Sequence, residues 1–162
     1  MLPARFFLVS FLSVAAPAAA QQQSVGIFGL WGTFARSGQC YAISEPERSL
    51  RRGGGRPYVA VGYWPGRGVH GQLYVRLGEV KRAGSAVLLR IDERSFQLSG
   101  GNADAWAPNA RADADIVTAM RTGLELTIET RSARGALIRD SYRLRGAATA
   151  IDAAAIACAR RS

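Results

Sequence analysis

Few side chains in this sequence are equipped for acid–base or covalent chemistry. His70 is the only histidine, so a histidine-based pair, triad or zinc site has one candidate member and no second. It follows Gly68-Val69 at the start of an expected strand, where a histidine at the surface is commonplace. The two cysteines, Cys40 and Cys158, lack the Cys-x-x-Cys spacing of a redox enzyme. Asp104, Asp113 and Asp115 would supply a carboxylate pair for hydrolysing a glycan. Helix capping accounts more simply for Asp113 and Asp115. Gly53-Gly54-Gly55 does not have the glycine spacing of a nucleotide-binding loop. No catalytic set emerges, and no residue pattern calls for a cofactor or a metal. Recognition chemistry remains. Arg48, Arg51, Arg52 and Arg56 crowd around three glycines, and Arg67 follows. Guanidinium groups of this kind hold phosphate, sulfate or carboxylate through charge-assisted hydrogen bonds, although a solvated charged loop has the same composition. Trp64 lies in Trp64-Pro65-Gly66-Arg67-Gly68, a turn composition that would leave it partly exposed. Trp31 and Trp106 are expected in the core.

The compartment follows from the first twenty residues. Arg5 gives a positive start, Phe6 to Ala16 is an apolar run too short to span a bilayer, and Ala18-Ala19-Ala20 offers small residues for cleavage. Residues 1–20 therefore read as a secretory leader and 21–162 as one domain. Arg5 is the only charged residue in the leader, so its removal turns the formal charge of +9 into +8. That surplus favours an acidic partner such as lipopolysaccharide, phospholipid or an acidic glycan. Export makes nucleic acid an unexpected partner. Export also makes pairing of Cys40 with Cys158 the expected state. The bridge closes a loop spanning most of the mature chain, which stabilises by roughly 4–5 kcal/mol.

The elements that must position these residues are mostly strands. Gln21 to Ser24 reads as an irregular polar leader, Gln39 to Ser44 as a short strand, and Glu45 to Pro57 as a loop. Val59, Val61 and Tyr63 alternate with small residues; Leu73, Val75 and Leu77 alternate with Gln72, Tyr74 and Arg76. Ala86 to Ile91 is a further strand, which turns at Asp92 to Ser95 and returns through Phe96 and Leu98 to Gly100-Gly101. The sharpest prediction is a hairpin of 124–131 with 136–145 around Ala133-Arg134-Gly135. Its register sets Glu129 opposite Arg139, Glu125 opposite Arg143, Leu126 against Tyr142 and Leu124 against Leu144. It also turns Asp140 toward the apolar face beside Ile128, where it is either paired or bulged out. Helices are expected over 113–122, capped by Asp113 or Asp115 and stopped by Gly123, and over 148–159, with Ile151, Ala155 and Cys158 on one stripe. The fold class is mainly β: an antiparallel β-sandwich or flattened barrel with two short helices, the C-terminal one tethered by the disulfide.

Several stretches carry a family resemblance. They are Phe28-Gly29-Leu30-Trp31-Gly32, Cys40-Tyr41-Ala42-Ile43, Trp64-Pro65, Leu89-Arg90-Ile91-Asp92 leading to Phe96-Gln97-Leu98, and Ala105-Trp106. The most specific is the block from Tyr142 through Leu144, Gly146 and Ala150-Ile151 to Cys158. In this order they resemble the invasion-associated locus B family of exported proteins from Gram-negative bacteria. The resemblance implies a periplasmic, outer-membrane-associated or secreted β-sandwich protein with no established enzyme activity or cofactor. The expectation is a non-enzymatic envelope protein whose cationic face, built from Arg48, Arg51, Arg52, Arg56 and Arg67, meets an anionic envelope component. A small periplasmic glycan hydrolase using the Asp carboxylates is one alternative. The other is an accessory subunit that binds a protein partner through strand edges or Trp64.

Overall fold

The computed structural model describes residues 22–50 and 55–160. The expected leader over 1–20 and the loop residues Arg51 and Arg52 lie outside the described residues. Among those described, eleven strands hydrogen-bond into one antiparallel sheet. They are β1 (Gln23–Phe28), β2 (Trp31–Arg36), β3 (Gln39–Ser44), β4 (Arg48–Leu50), β5 (Tyr58–Trp64) and β6 (Val69–Arg76). The others are β7 (Val87–Ile91), β8 (Arg94–Gly101), β9 (Asp104–Trp106), β10 (Glu125–Arg131) and β11 (Leu137–Arg143). Two helices, α1 (Ala110–Thr122) and α2 (Ala147–Ala159), complete the domain.

The spatial order is β1-β2-β3-β5-β6-β9-β8-β7-β10-β11-β4. The ladder is continuous and open, neither two separately paired sheets nor a closed barrel. Strand β8 makes it continuous. Arg94 to Leu98 pair with β7, while Ser99 to Gly101 pair with β9. Gly100 permits the changeover, because a Cβ there would lie 2.4 Å from the Asp104 carbonyl oxygen. Only Glu45, Pro46 and Glu47 separate β3 from β4, the third and last positions of the ladder, so the sheet curls back toward itself.

The inward face follows the period-two pattern. Val59, Val61, Leu73, Val75, Val87, Leu89, Ile91, Leu126, Ile128 and Tyr142 are all buried. The β10–β11 hairpin takes the expected register, with Glu125 opposite Arg143, Leu126 opposite Tyr142 and Glu129 opposite Arg139. Gly135 turns the loop at φ +85. Leu124 differs: it keeps its backbone bond to Leu144 but exposes its side chain, because the strand begins only at Glu125. The two readings of Asp140 resolve in favour of pairing. It stays in regular register opposite Ile128, is 1% exposed, and accepts a hydrogen bond from the Ser49 hydroxyl of β4. That bond explains why part of the expected 45–57 loop becomes a strand: β4 supplies the buried carboxylate with a donor. At the other margin β1 starts at Gln23, inside the stretch expected to be irregular, because β2 offers it a full antiparallel partner.

Helix α2 packs on β1, β2, β3 and β5. Ala147, Ala150, Ile151, Ala154 and Cys158 form its buried stripe, small side chains that let the helix approach the sheet closely. The Thr33 hydroxyl donates to the Ala150 carbonyl at 2.9 Å, and Cys158 is bonded to Cys40 with 5.6 Å between Cα atoms. Ile151 and Cys158 thus face the core as expected; Ala155 is half-buried.

Helix α1 starts earlier than expected. Asn109, not Asp113 or Asp115, caps it by accepting the Ala112 N–H at 2.9 Å. Asp113 has a different task. Strand β9 pairs only with Tyr74 to Arg76 of β6, and Asp113 Oδ1 accepts the Leu73 N–H at 2.7 Å where that ladder has stopped. Burial raises the Asp113 carboxyl above its ordinary value of 3.8, and the Leu73 N–H opposes this. A carboxyl raised on folding favours the native state in its protonated form. Its contribution is complete below that ordinary value and is lost as pH rises through the folded one. Asp113→Asn keeps the acceptor and removes the charge, so in urea unfolding at neutral pH it is at least as stable as the parent, and the gap narrows in acid. Asp113→Ala strands the Leu73 N–H and costs about 1–3 kcal/mol in the same measurement.

Candidate functional site

The outward face of the β3–β5–β6 region departs from the usual polar exterior. Alternation sends Gln39, Tyr41 and Ile43 of β3 outward, with Tyr58, Ala60, Gly62 and Trp64 of β5 and Gln72 and Tyr74 of β6. The register aligns them in rows: Phe34, Tyr41, Gly62 and Gln72 in one, Ile43, Ala60, Tyr74 and Trp106 in the next. On this face β5 carries almost no side-chain bulk at its centre. Ala60 and Gly62 therefore form the floor of a trough of about 440 Å³. Walls of Tyr41, Ile43, Gln72 and Tyr74 flank it, and Tyr58 and Trp64 stand at its two ends.

Trp64 is half-buried because its indole folds back over Gly62. A Cβ at Gly62 would lie 2.5 Å from the ring, so only glycine lets the indole occupy that position. Phe34 packs on Tyr41 and Tyr58 on Tyr74, each pair with centroids 5.7 Å apart. Among the described residues Arg36 is the only charged one lining the trough, and its Nε donates to Gln39 Oε1 at 2.6 Å. Beyond Tyr74, Asp104 accepts hydrogen bonds from the Tyr74 hydroxyl and from Arg76, the latter at 2.7 Å. Burial pushes the Tyr74 hydroxyl far above its ordinary range, with the bond to Asp104 adding to the effect. Burial works against the Asp104 carboxylate, but the Tyr74 and Arg76 bonds together hold it below its ordinary value. Tyr74 is thus a fixed, protonated wall.

Of the described residues singled out from the sequence, Trp64 alone lines the trough. Arg48 lies on the margin strand β4, Arg56 is paired with Glu45 at 3.1 Å, and Arg67 closes a 3-10 turn at the other end of β5 from Arg56. Arg51 and Arg52 lie outside the described residues. Arg48 instead helps line a second concavity of about 620 Å³ on the outer face of β7, β10, β11 and β4. There Arg90 and Arg139 alternate with Glu125 and Glu129, and Arg139 pairs with Glu129 at 2.9 Å. The three aspartates do not converge either. Asp104 is bonded on the outer face, Asp113 is bonded to Leu73 beneath α1, and Asp115 faces Arg111 at 3.6 Å along the helix.

Among the tryptophans, Trp31 is fully buried as expected and donates its Nε1–H to the Arg143 carbonyl at 2.9 Å. Trp106 is corrected: it is 42% exposed, because its position in β9 opposite Tyr74 puts it on the outer face. Tyr41, Tyr58, Tyr74, Arg36, Gln39 and Gln72 were not singled out from the sequence. The available signal was parity: aromatic residues recur at the outward positions of strands whose inward positions are already apolar. Comparison with protein-family models, with curated proteins and with solved structures finds no match.

Proposed function

We propose that this chain is an exported, non-enzymatic binding protein of the bacterial envelope, attracted to an anionic surface component. The observation that carries the reading is the distribution of its charge. Arg67, Arg82, Arg90, Arg94, Arg131 and Arg145 are all exposed with no carboxylate at ion-pair distance among the described residues. Unneutralised guanidinium groups spread over the surface make a diffuse cationic field rather than one socket. The leader-like residues 1–20, the Cys40–Cys158 bridge and the resemblance to the invasion-associated locus B family support export. The separate structural bonds of Asp104, Asp113 and Asp115 support binding over glycan hydrolysis, which needs two carboxyl groups flanking one bond.

Co-sedimentation of residues 21–162 with phosphatidylglycerol-containing vesicles tests this. The bound fraction falls steeply between about 50 mM and about 500 mM salt as the Debye length shrinks. No sedimentation, or sedimentation indifferent to salt, overturns the reading. A variant with Arg51, Arg52 and Arg56 changed to Ser measures the share contributed by that loop.

A further inference from the structure

The diffuse cationic field does not account for the aromatic trough. We propose that the trough binds a short chain of carboxylated sugars, with Trp64 and the flanking tyrosines stacking on sugar faces and Arg36 pairing with a sugar carboxylate. The proposal rests on the reading of this protein as a binder and adds to it a site and a ligand class.

The trough is prepared before any ligand arrives. The Trp64 indole lies over Gly62, is partly buried, and lines the same open space as Ala60. Tyr58 and Tyr74 pack on each other at the wall, so their rings are held without a ligand. Flat, rigid aromatic surfaces beside a shallow floor suit the apolar C–H face of a pyranose ring, and little side-chain entropy remains to be lost on binding.

The charge and polar groups define the class further. Among the described residues Arg36 is the only charge in the lining, and no carboxylate shares the lining with it. The bond from its Nε to Gln39 orients the guanidinium and leaves both Nη groups for a bidentate contact. Gln39 and Gln72 add amide groups able to meet hydroxyls on either side of the floor. A neutral sugar would leave the oriented guanidinium unused; a uronic-acid-type sugar fills it.

An extended peptide fits less well. Strand β5 is paired along its length by β3 on one side and β6 on the other, so its backbone groups are committed to the ladder. A peptide laid across this face would desolvate its own N–H and C=O groups and find few partners for them. Sugars bring no such row of obligatory backbone groups.

The test titrates residues 21–162 with a short galacturonic-acid oligomer, a glucose oligomer of equal length and a poly-glutamate of equal charge, read by tryptophan fluorescence and calorimetry. The acidic oligomer saturates and perturbs Trp64 emission, while the other two bind at least about tenfold more weakly. Gly62→Ala adds one methyl group, removes no lining side chain and evicts the indole; with Trp64→Ala it weakens acidic-oligomer binding by about tenfold or more. Arg36→Gln brings the acidic oligomer down to the affinity of the neutral one. Urea unfolding of each variant confirms that the fold is kept. No binding of the acidic oligomer overturns the proposal, as does binding that survives both Gly62→Ala and Trp64→Ala, or poly-glutamate binding of equal strength. Salt-dependent vesicle sedimentation persists in the Gly62→Ala and Trp64→Ala variants, so failure at the trough and failure of the envelope reading are told apart.

Discussion

Replacing Gly146 by alanine removes on the order of 3–5 kcal/mol of stability, a large part of what a domain of this size possesses. Gly146 sits where β11 hands the chain to α2, at φ +94 and ψ −11, a backbone state that costs any L side chain strain. Space is equally short. A Cβ there would lie 1.9 Å from the Phe28 carbonyl oxygen and 2.5 Å from its carbon. The contact is reciprocal, since Gly29 at φ +62 would place a Cβ 2.6 Å from the Arg145 carbonyl oxygen. Two backbones therefore touch where the β1–β2 turn meets the start of α2, and the Trp31 bond to Arg143 holds the same junction closed. A clash with backbone cannot be relieved by rotating a side chain, so either β1–β2 or α2 must shift off the core. The urea midpoint, followed by circular dichroism, falls accordingly. Gly66→Ala is the matched control: nothing lies within 4 Å of its added Cβ, and its midpoint stays at the parent value. An unchanged midpoint for Gly146→Ala would contradict the packing described for this junction.

Loss of the Cys40–Cys158 bond is the second large effect. The bond joins residues 118 apart in sequence, and opening it returns about 4–5 kcal/mol of chain entropy to the unfolded state. Its position adds a structural consequence. Cys40 lies in β3, flanked in the ladder by Ala35 and Tyr63, and Cys158 lies in the last turn of α2. The rest of the α2 stripe is largely alanine, which buries little apolar area per residue, so the helix depends on its tether more than a leucine-rich helix would. Reduction, or the double change Cys40→Ala and Cys158→Ala, lowers the urea midpoint by an amount consistent with that loss. Thiol titration of the unfolded, unreduced protein finds no free thiol. Equal midpoints with and without the bond would show that α2 holds itself in place.

How far the sequence reaches depends on the range of the interaction. The β10–β11 register was legible because a period-two pattern and a glycine-bearing turn act within twenty-odd residues, and Gly135 takes the positive φ that the turn requires. The disulfide was legible because two cysteines allow one pairing. The start of α1 was misread because capping was assigned to Asp113 or Asp115; Asp113 instead takes the Leu73 N–H of β6, and Asn109 caps the helix. Leu124 was misread because the alternation was extended one residue past the point where Asp92 takes its N–H. Trp106 was expected in the core because aromatic residues of a small β domain usually pack there, whereas its register opposite Tyr74 puts it outside.

By itself the sequence determined which residues alternate, where the turns fall, which cysteines meet and how much positive charge the surface must carry, because each follows from local sterics, composition or counting. Tertiary structure alone decided that β3, β5 and β6 are neighbours although β4 lies between the first two in the chain, and that β4 closes the far margin. It thereby placed Gly62, Trp64, Tyr41 and Tyr74 around one trough. The physical reason is that strand pairing joins distant segments through backbone groups that every residue shares. Side-chain type specifies the face of a strand, and the packing of the whole chain specifies its neighbour.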